Sequence, residues 1–291
     1  MSLDPGTVEF VKGHGTANDF VVLPDPDGRL ALTPARVRAL CDRRAGLGGD
    51  GVLRVVRVEA AGPDAAAHRG AAEWFMDYRN ADGSVAEMCG NGVRVFARYL
   101  VEAGLAARGP LTVAPRGGRK HVRFEDSGEI TVDMGPATLV EAEPTVSVDG
   151  RSWAALAVFA PNPHAVVFVD DLAQAGTLLA APHVEAPSIY PDGVNVEFVV
   201  DRGPTHVAMR VHERGVGETR SCGTGACAVA VAARRRAGWA PADETDRVWT
   251  VDVPGGRLRV TERADGHLEL TGPAVLVSSG TLEPTWWTAH A

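Results

Sequence analysis

The chain has 291 residues, 45% of them hydrophobic and 23% charged, enough apolar material for one large domain or two of ordinary size. Its formal net charge of −8 argues against non-specific nucleic-acid binding, which needs a positive field to displace counterions. No apolar run nears the roughly 18 residues of a membrane span. Met1–Gly6 has neither a basic nor an apolar signal region, so a cytoplasmic protein with no nucleic-acid or membrane partner is expected.

In chain order, Asn18 opens an apolar strand through Val21-Val22-Leu23, and a helix-like stretch follows over 35–44. Gly46-Leu47-Gly48-Gly49-Asp50-Gly51 spells G-x-G-x-x-G. A dinucleotide loop needs a strand before that motif and a helix after it, and here the order is reversed, with β-branched 52–58 following. Strand-like Trp74-Phe75-Met76-Asp77-Tyr78 runs into the turn Arg79-Asn80-Ala81-Asp82-Gly83. Cys89-Gly90-Asn91-Gly92 then opens a helix through Leu100, and a hinge is expected near Met134-Gly135-Pro136.

Beyond the hinge the same order returns. Asn162-Pro163-His164 precedes an apolar strand, and Asp192-Gly193 precedes another, as Asp50-Gly51 does. Val207-Ala208-Met209-Arg210-Val211 runs into His212-Glu213-Arg214-Gly215, and Cys222-Gly223-Thr224-Gly225 opens a second, almost wholly apolar helix. Asn80 lies nine positions before Cys89 and Glu213 nine before Cys222. An internal repeat of this kind predicts two α/β halves of like topology. The final strands follow Gly272-Pro273.

The repeated element has a chemical meaning. A cysteine at the first turn of a helix faces backbone N–H groups and the positive end of the helix dipole, which lowers a thiol pKa. The same N–H groups bind carboxylates. Two such units can remove an α-proton from one face of an amino acid and donate one to the other, with fixed dipoles stabilising the developing charge. No C-x-x-C, H-E-x-x-H, Walker A or G-x-S-x-G motif is present, so no metal site is expected. Only Lys12 and Lys120 are available as Schiff-base lysines, which leaves pyridoxal phosphate little room, and no cofactor is expected. Cys41 and Cys227 read as small buried hydrophobes.

These segments resemble the diaminopimelate epimerase family. The likeness runs through Lys12-Gly13-His14-Gly15-Thr16-Ala17-Asn18-Asp19-Phe20, Asn80-Ala81-Asp82-Gly83-Ser84, Glu87-Met88-Cys89-Gly90-Asn91-Gly92, Asn162-Pro163-His164, Gly193-Val194-Asn195, Glu213–Thr219 and Ser221–Cys227. The resemblance implies an α/β (α+β) fold of two pseudo-symmetric domains, each a mostly antiparallel sheet curled around a central helix. The halves would be 1–134 plus 273–291, carrying Cys89, and 135–272, carrying Cys222. It implies interconversion of LL- and meso-2,6-diaminopimelate in lysine and peptidoglycan-precursor synthesis, and is compatible with a homodimer.

Carried over by position, Cys89 and Cys222 are the acid–base pair. Asn18, Asn80, Asn162, Asn195, Glu213 and Arg214 contact substrate, and the backbone at Gly90, Asn91, Gly223 and Thr224 holds the carboxylate of the reacting centre. His164 and Glu213 tune the thiols. Two positions depart from the family pattern: Gly51, where some relatives carry Gln, and Pro161, where a glycine commonly precedes Asn-Pro-His. Two other readings fit twin thiols, a proline or hydroxyproline racemase-type enzyme and a non-catalytic amino-acid-binding protein. Arg214 and Glu213, suited to a distal amino-acid head, favour the longer substrate.

Overall fold

A computed structural model of the chain describes residues 7–185, 188–240 and 245–291. The reading of Met1–Gly6 as lacking a signal region lies outside these residues. The chain divides into two compact units, the first extending to Val132 and including Pro273–Ala291, the second spanning Asp133–Gly272.

The first unit contains strands β1 (Val8–Gly15) and β2 (Asn18–Pro24), helix α1 (Pro34–Cys41), β3 (Gly51–Arg57), β4 (Trp74–Asn80), helix α2 (Gly90–Glu102), β5 (Leu111–Pro115) and β6 (Lys120–Phe124). Strand β7 (Ile130–Pro136) carries the chain across the division. Pairing alternates through the first five strands, β1–β2 antiparallel, β2–β3 parallel, β3–β4 antiparallel and β4–β5 parallel, and ends in two antiparallel pairs, β5–β6 and β6–β7.

The second unit contains β8 (Thr138–Val140), β9 (Thr145–Val148), β10 (Arg151–Phe159), β11 (Pro163–Phe168), β12 (His183–Glu185), β13 (Asn195–Gly203), β14 (His206–Glu213), β15 (Gly217–Thr219), helix α3 (Gly223–Arg236), β16 (Arg247–Val253), β17 (Gly256–Glu262) and β18 (His267–Gly272). Its pairing repeats the sequence: β10–β11 antiparallel, β11–β13 parallel, β13–β14 antiparallel, β14–β16 parallel, β16–β17 and β17–β18 antiparallel. The chain then returns to the first unit through β19 (Val275–Leu282), antiparallel to β1, and the short helix α4 (Pro284–Ala289).

Each unit wraps its sheet around one helix. Helix α2 packs against β1 to β6 and β19, and α3 against β10, β11, β13, β14, β16, β17 and β18. A helix surrounded by sheet must be apolar or small on nearly every face. Residues 225–234 of α3 are all buried, and its last turn, Arg234-Arg235-Arg236, sets positive charge at the negative end of the helix dipole.

The strands that clasp these helices are covered on both faces. Phe20, Val21, Val22 and Leu23 on β2 are all fully buried. Val21 and Leu23 join Val37 and Leu40 of α1 and Trp287 of α4 in a core on the side away from α2. In the second unit Val196 and Phe198 of β13 join Val146, Ala157 and Val167 in the corresponding layer. No helix of the described residues is long and apolar enough to cross a membrane.

Candidate active site

The two expected cysteines occupy the same local geometry twice. Cys89 caps α2 with φ −144° and ψ 118°, and Cys222 caps α3 with φ −119° and ψ 116°. Each sulfur accepts the N–H three residues on, Gly92 at 3.4 Å and Gly225 at 3.3 Å. Sulfur takes the place of the usual capping oxygen, so each thiol is fixed at the helix mouth.

In the first unit Asn18 follows a two-residue hairpin loop, Thr16-Ala17, whose φ values of 51° and 60° are left-handed. Asn18 Oδ1 lies 3.5 Å from Cys89 Sγ and accepts Asn91 Nδ2 at 3.2 Å, while its own amide donates to Asp50 Oδ2 at 2.8 Å. Arg43 clamps Asp50 at 2.7 Å and Asp19 at 2.8 Å. Arg94, fully buried, donates to Asn91 Oδ1 at 2.8 Å and to Thr16 Oγ1 at 3.2 Å. The structure thus brings Cys89, Asn18, Gly90 and Asn91 together. Asn80, at the end of β4, bonds instead to Ser84 Oγ at 3.0 Å.

Gly51 pairs with Asn80 across β3 and β4. A Cβ there would stand 2.5 Å from Arg79 O and 2.7 Å from the Tyr78 ring, so the backbone as folded has no room for the glutamine that some relatives carry.

In the second unit Cys222 Sγ lies 3.4 Å from Thr224 Oγ1. His164, with no exposed surface, holds Glu197 Oε1 at 2.6 Å through Nδ1 and Asn162 Oδ1 at 3.0 Å through Nε2. Glu213 accepts the Thr219 hydroxyl. Asn195 Oδ1 accepts the Arg214 backbone N–H at 2.9 Å, and the Arg214 guanidinium donates to Asp192 O at 3.0 Å. Arg214 also lines a cavity of about 270 Å³ with Tyr190, Gly193 and His212. Cys222, Glu213 and the asparagines are not among its lining residues. The peptide before Pro161 is cis.

The electrostatics of Cys222 differ from the sequence expectation. A helix N-terminus lowers a thiol pKa, yet burial pushes Cys222 well up, and the charges of Glu213 and Glu197 push it further. The Thr224 and Gly225 contacts oppose this and lose. Burial also raises Glu213, with the Glu197 charge adding to it against the Thr219 hydrogen bond. Cys41 is raised to about 12, chiefly by burial. Cys227 is fully buried on α3. Among the described residues no cluster of three or more His, Cys, Asp or Glu is arranged to hold a metal ion.

Four polar residues that the sequence reading did not nominate belong to these networks: Arg94, Asp50, Glu197 and Thr219. The available signal was a lone charge inside an otherwise apolar segment, Val93-Arg94-Val95 and Val196-Glu197-Phe198.

Comparison with known proteins places the chain. The family model described as diaminopimelate epimerase matches residues 10–140 and 156–277. The diaminopimelate epimerase of Streptomyces coelicolor is 62% identical over 280 residues, covering 96% of each chain. That of Thermobifida fusca is 51% identical over 94% of this chain and 97% of its own. Among solved structures, a Bacillus anthracis phenazine biosynthesis protein of the PhzF family superposes with a TM-score of 0.69 at 15% identity, covering 95% of this chain and 99% of that one. A hydroxyproline epimerase from Agrobacterium vitis gives 0.66 at 15% identity, covering 97% and 95%. These two share the fold, a two-domain, sheet-dominated α/β architecture. With a family model matched along most of its length and relatives near or above half identity, the chain belongs to the diaminopimelate epimerase family.

Proposed function

We propose that the chain interconverts LL- and meso-2,6-diaminopimelate without a cofactor, moving one α-proton between Cys89 and Cys222. The observation that carries this reading is the duplicated cap: two cysteines hold the same extended backbone conformation at the mouths of equivalent helices in units whose central strands pair in the same order. Inverting a stereocentre requires a base on one face and an acid on the other. Two thiols meet that need when one is ionised and one is not, and such a pair titrates as a coupled unit.

Burial and two carboxylates hold Cys222 as a thiol, which suits it to donate. In the reverse reaction it must take the proton back, as microscopic reversibility demands. The first-turn N–H groups at Gly90, Asn91, Gly223 and Thr224 would receive the substrate carboxylate, whose charge grows as the α-proton leaves. Asn18, Asn80, Asn162, Asn195, Glu213 and Arg214 would hold the remaining polar groups, with Arg214 offering a two-pronged donor to the distal carboxylate. His164 and Glu213 would set the ionisation of Cys222. A cytoplasmic place in lysine and peptidoglycan-precursor synthesis follows from the substrate.

Solvent exchange tests the reading. In deuterated water the purified protein should incorporate deuterium at the α-carbon of LL-diaminopimelate and not of proline. Cys89→Ala and Cys222→Ala should each lower epimerisation by about 10²–10⁴. Turnover near the parent level in either variant would remove the two-thiol mechanism, and exchange into proline alone would favour the racemase reading.

A further inference from the structure

Glu197 is a carboxylate that the strand alternation of β13 turns toward helix α3. Its neighbours Val196 and Phe198 point to the opposite layer and pack in the apolar core of the second unit. Asn195, two residues earlier, shares the Glu197 face, and β11 lies alongside in parallel with His164 opposite Asn195. Glu197 has no exposed surface, and its Oε2 is buried without a hydrogen-bond partner among the described residues. Its Oε1 meets His164 Nδ1 at 2.6 Å.

The same Oε1 abuts the first turn of α3. A Cβ on Gly225 would fall 2.8 Å from it, and the Gly225 N–H is the donor to Cys222 Sγ. A buried carboxylate normally has all its oxygens satisfied, because desolvating a charge without partners is unfavourable. One half-satisfied in a fully packed interior, beside the helix turn that carries a candidate acid, calls for a functional account.

We propose that Glu197 is a positioning residue of this site: it fixes the His164 ring through Nδ1–H and sets a negative charge against the α3 turn that carries Cys222. The inference rests on Cys222 acting as an acid–base group, and it deepens that reading. With Nδ1–H given to Glu197, His164 presents Nε2 toward Asn162. Two carboxylates then bear on Cys222 within the second unit, Glu213 on β14 and Glu197 on β13, and His164 on β11 is held by Glu197 and acts in turn on Glu213. Raised thiol affinity for its proton agrees with this arrangement.

The test reads thiol ionisation directly and needs neither turnover nor access of a reagent. Thiolate ultraviolet absorbance is titrated in the parent protein and in Glu197→Gln, each minus its own Cys222→Ala counterpart. Glutamine keeps the shape and an oxygen for His164 Nδ1–H but loses the charge. The Cys222 midpoint should fall by about one pH unit, a roughly tenfold larger thiolate fraction at any pH below it, and Glu197→Asp should restore the parent midpoint. An unchanged midpoint in folded Glu197→Gln overturns the proposal, even if the protein proves an active epimerase. A shifted midpoint in a protein that fails to exchange deuterium would uphold it and sink the proposed reaction instead. Should Glu197→Gln not fold, ¹⁵N NMR of the parent histidines decides the same point. An Nδ1-protonated His164 supports the assignment, and an Nδ1-bare ring refutes it.

Discussion

Arg94 sits fully buried on α2 with its guanidinium spread over four acceptors: Asn91 Oδ1, Thr16 Oγ1, Gly90 O at 3.4 Å and Pro273 O at 3.4 Å. It therefore ties the left-handed loop at Thr16-Ala17 to the helix mouth beside Cys89. A planar fork with five donors meets several oxygens at once, whereas an ammonium on a flexible stem cannot cover them in this geometry. Arg94→Lys should leave buried acceptors short of donors and destabilise the protein by about 1–3 kcal/mol. Chemical denaturation checks this, with a tenfold or larger loss of exchange activity expected alongside. A variant as stable and active as the parent would mean the network is ornamental. The difference between Arg94 and Cys89 as sequence signals is instructive. Cys89 was legible because its Gly-x-Gly setting recurs at Cys222. Arg94 and Glu197 each stand alone in an apolar run, which reads as an element with one wet face. Only the tertiary fold shows that the second face is covered too, because a curled sheet wraps α2 and α3 closes over β13.

The two capped helices are equivalent in design but not in tolerance. Gly92 and Gly225 both donate the N–H that holds the cysteine sulfur. A Cβ on Gly92 would approach the flexible end of Leu53 at 3.3 Å, an adjustment of a few tenths of an ångström. On Gly225 it would meet Glu197 Oε1 at 2.8 Å, and that oxygen is pinned by His164 in a packed interior. Gly92→Ala should thus keep its melting temperature and exchange activity within a few-fold of the parent, helped by the better helix propensity of alanine. Gly225→Ala should lose at least tenfold in activity, with the thiol of Cys222 displaced. Equal effects of the two substitutions, measured in parallel, would show that Glu197 yields freely. The helix starts themselves were legible from Cys-Gly-x-Gly. The ionisation of Cys222 was not, because the dipole argument is local while burial and the carboxylates on β13 and β14 arrive through the fold.

Across the whole chain, the repeated order of asparagine, Asp-Gly and Cys-Gly-x-Gly foretold two halves, and the pairing of β1 to β7 recurs in β10, β11, β13, β14, β16, β17 and β18. The short strands β8, β9, β12 and β15 carried no such signal, since three or four residues hold too little alternation to register. The buried ionisable groups of the two units give the molecule a stability profile with two limbs. Although burial works to raise it, hydrogen bonds from Arg43 and Lys12 hold Asp19 down at about 2, and Arg79 and Arg116 lower Asp77 against the same burial. Such carboxylates contribute stability that is present above their unfolded value, 3.8, and lost as pH falls toward 2. Thiols raised by burial act with the opposite sense. The unfolded chain releases the Cys41 proton near 9 while the folded protein keeps it to about 12, so stability falls as pH climbs between those values. Cys222, also raised, adds to the same limb. Linkage sets the slope at roughly 1.4 kcal/mol per pH unit for each thiol that only the folded state keeps protonated. Urea denaturation between roughly pH 9 and 11, above the unfolded thiol and below the folded one, should show this decline. Cys41→Ala should flatten it by about one thiol's share, whatever that variant costs near neutrality. A slope that Cys41→Ala leaves untouched would place the alkaline limb elsewhere, in Tyr190 or in Cys222, whose protons burial also retains.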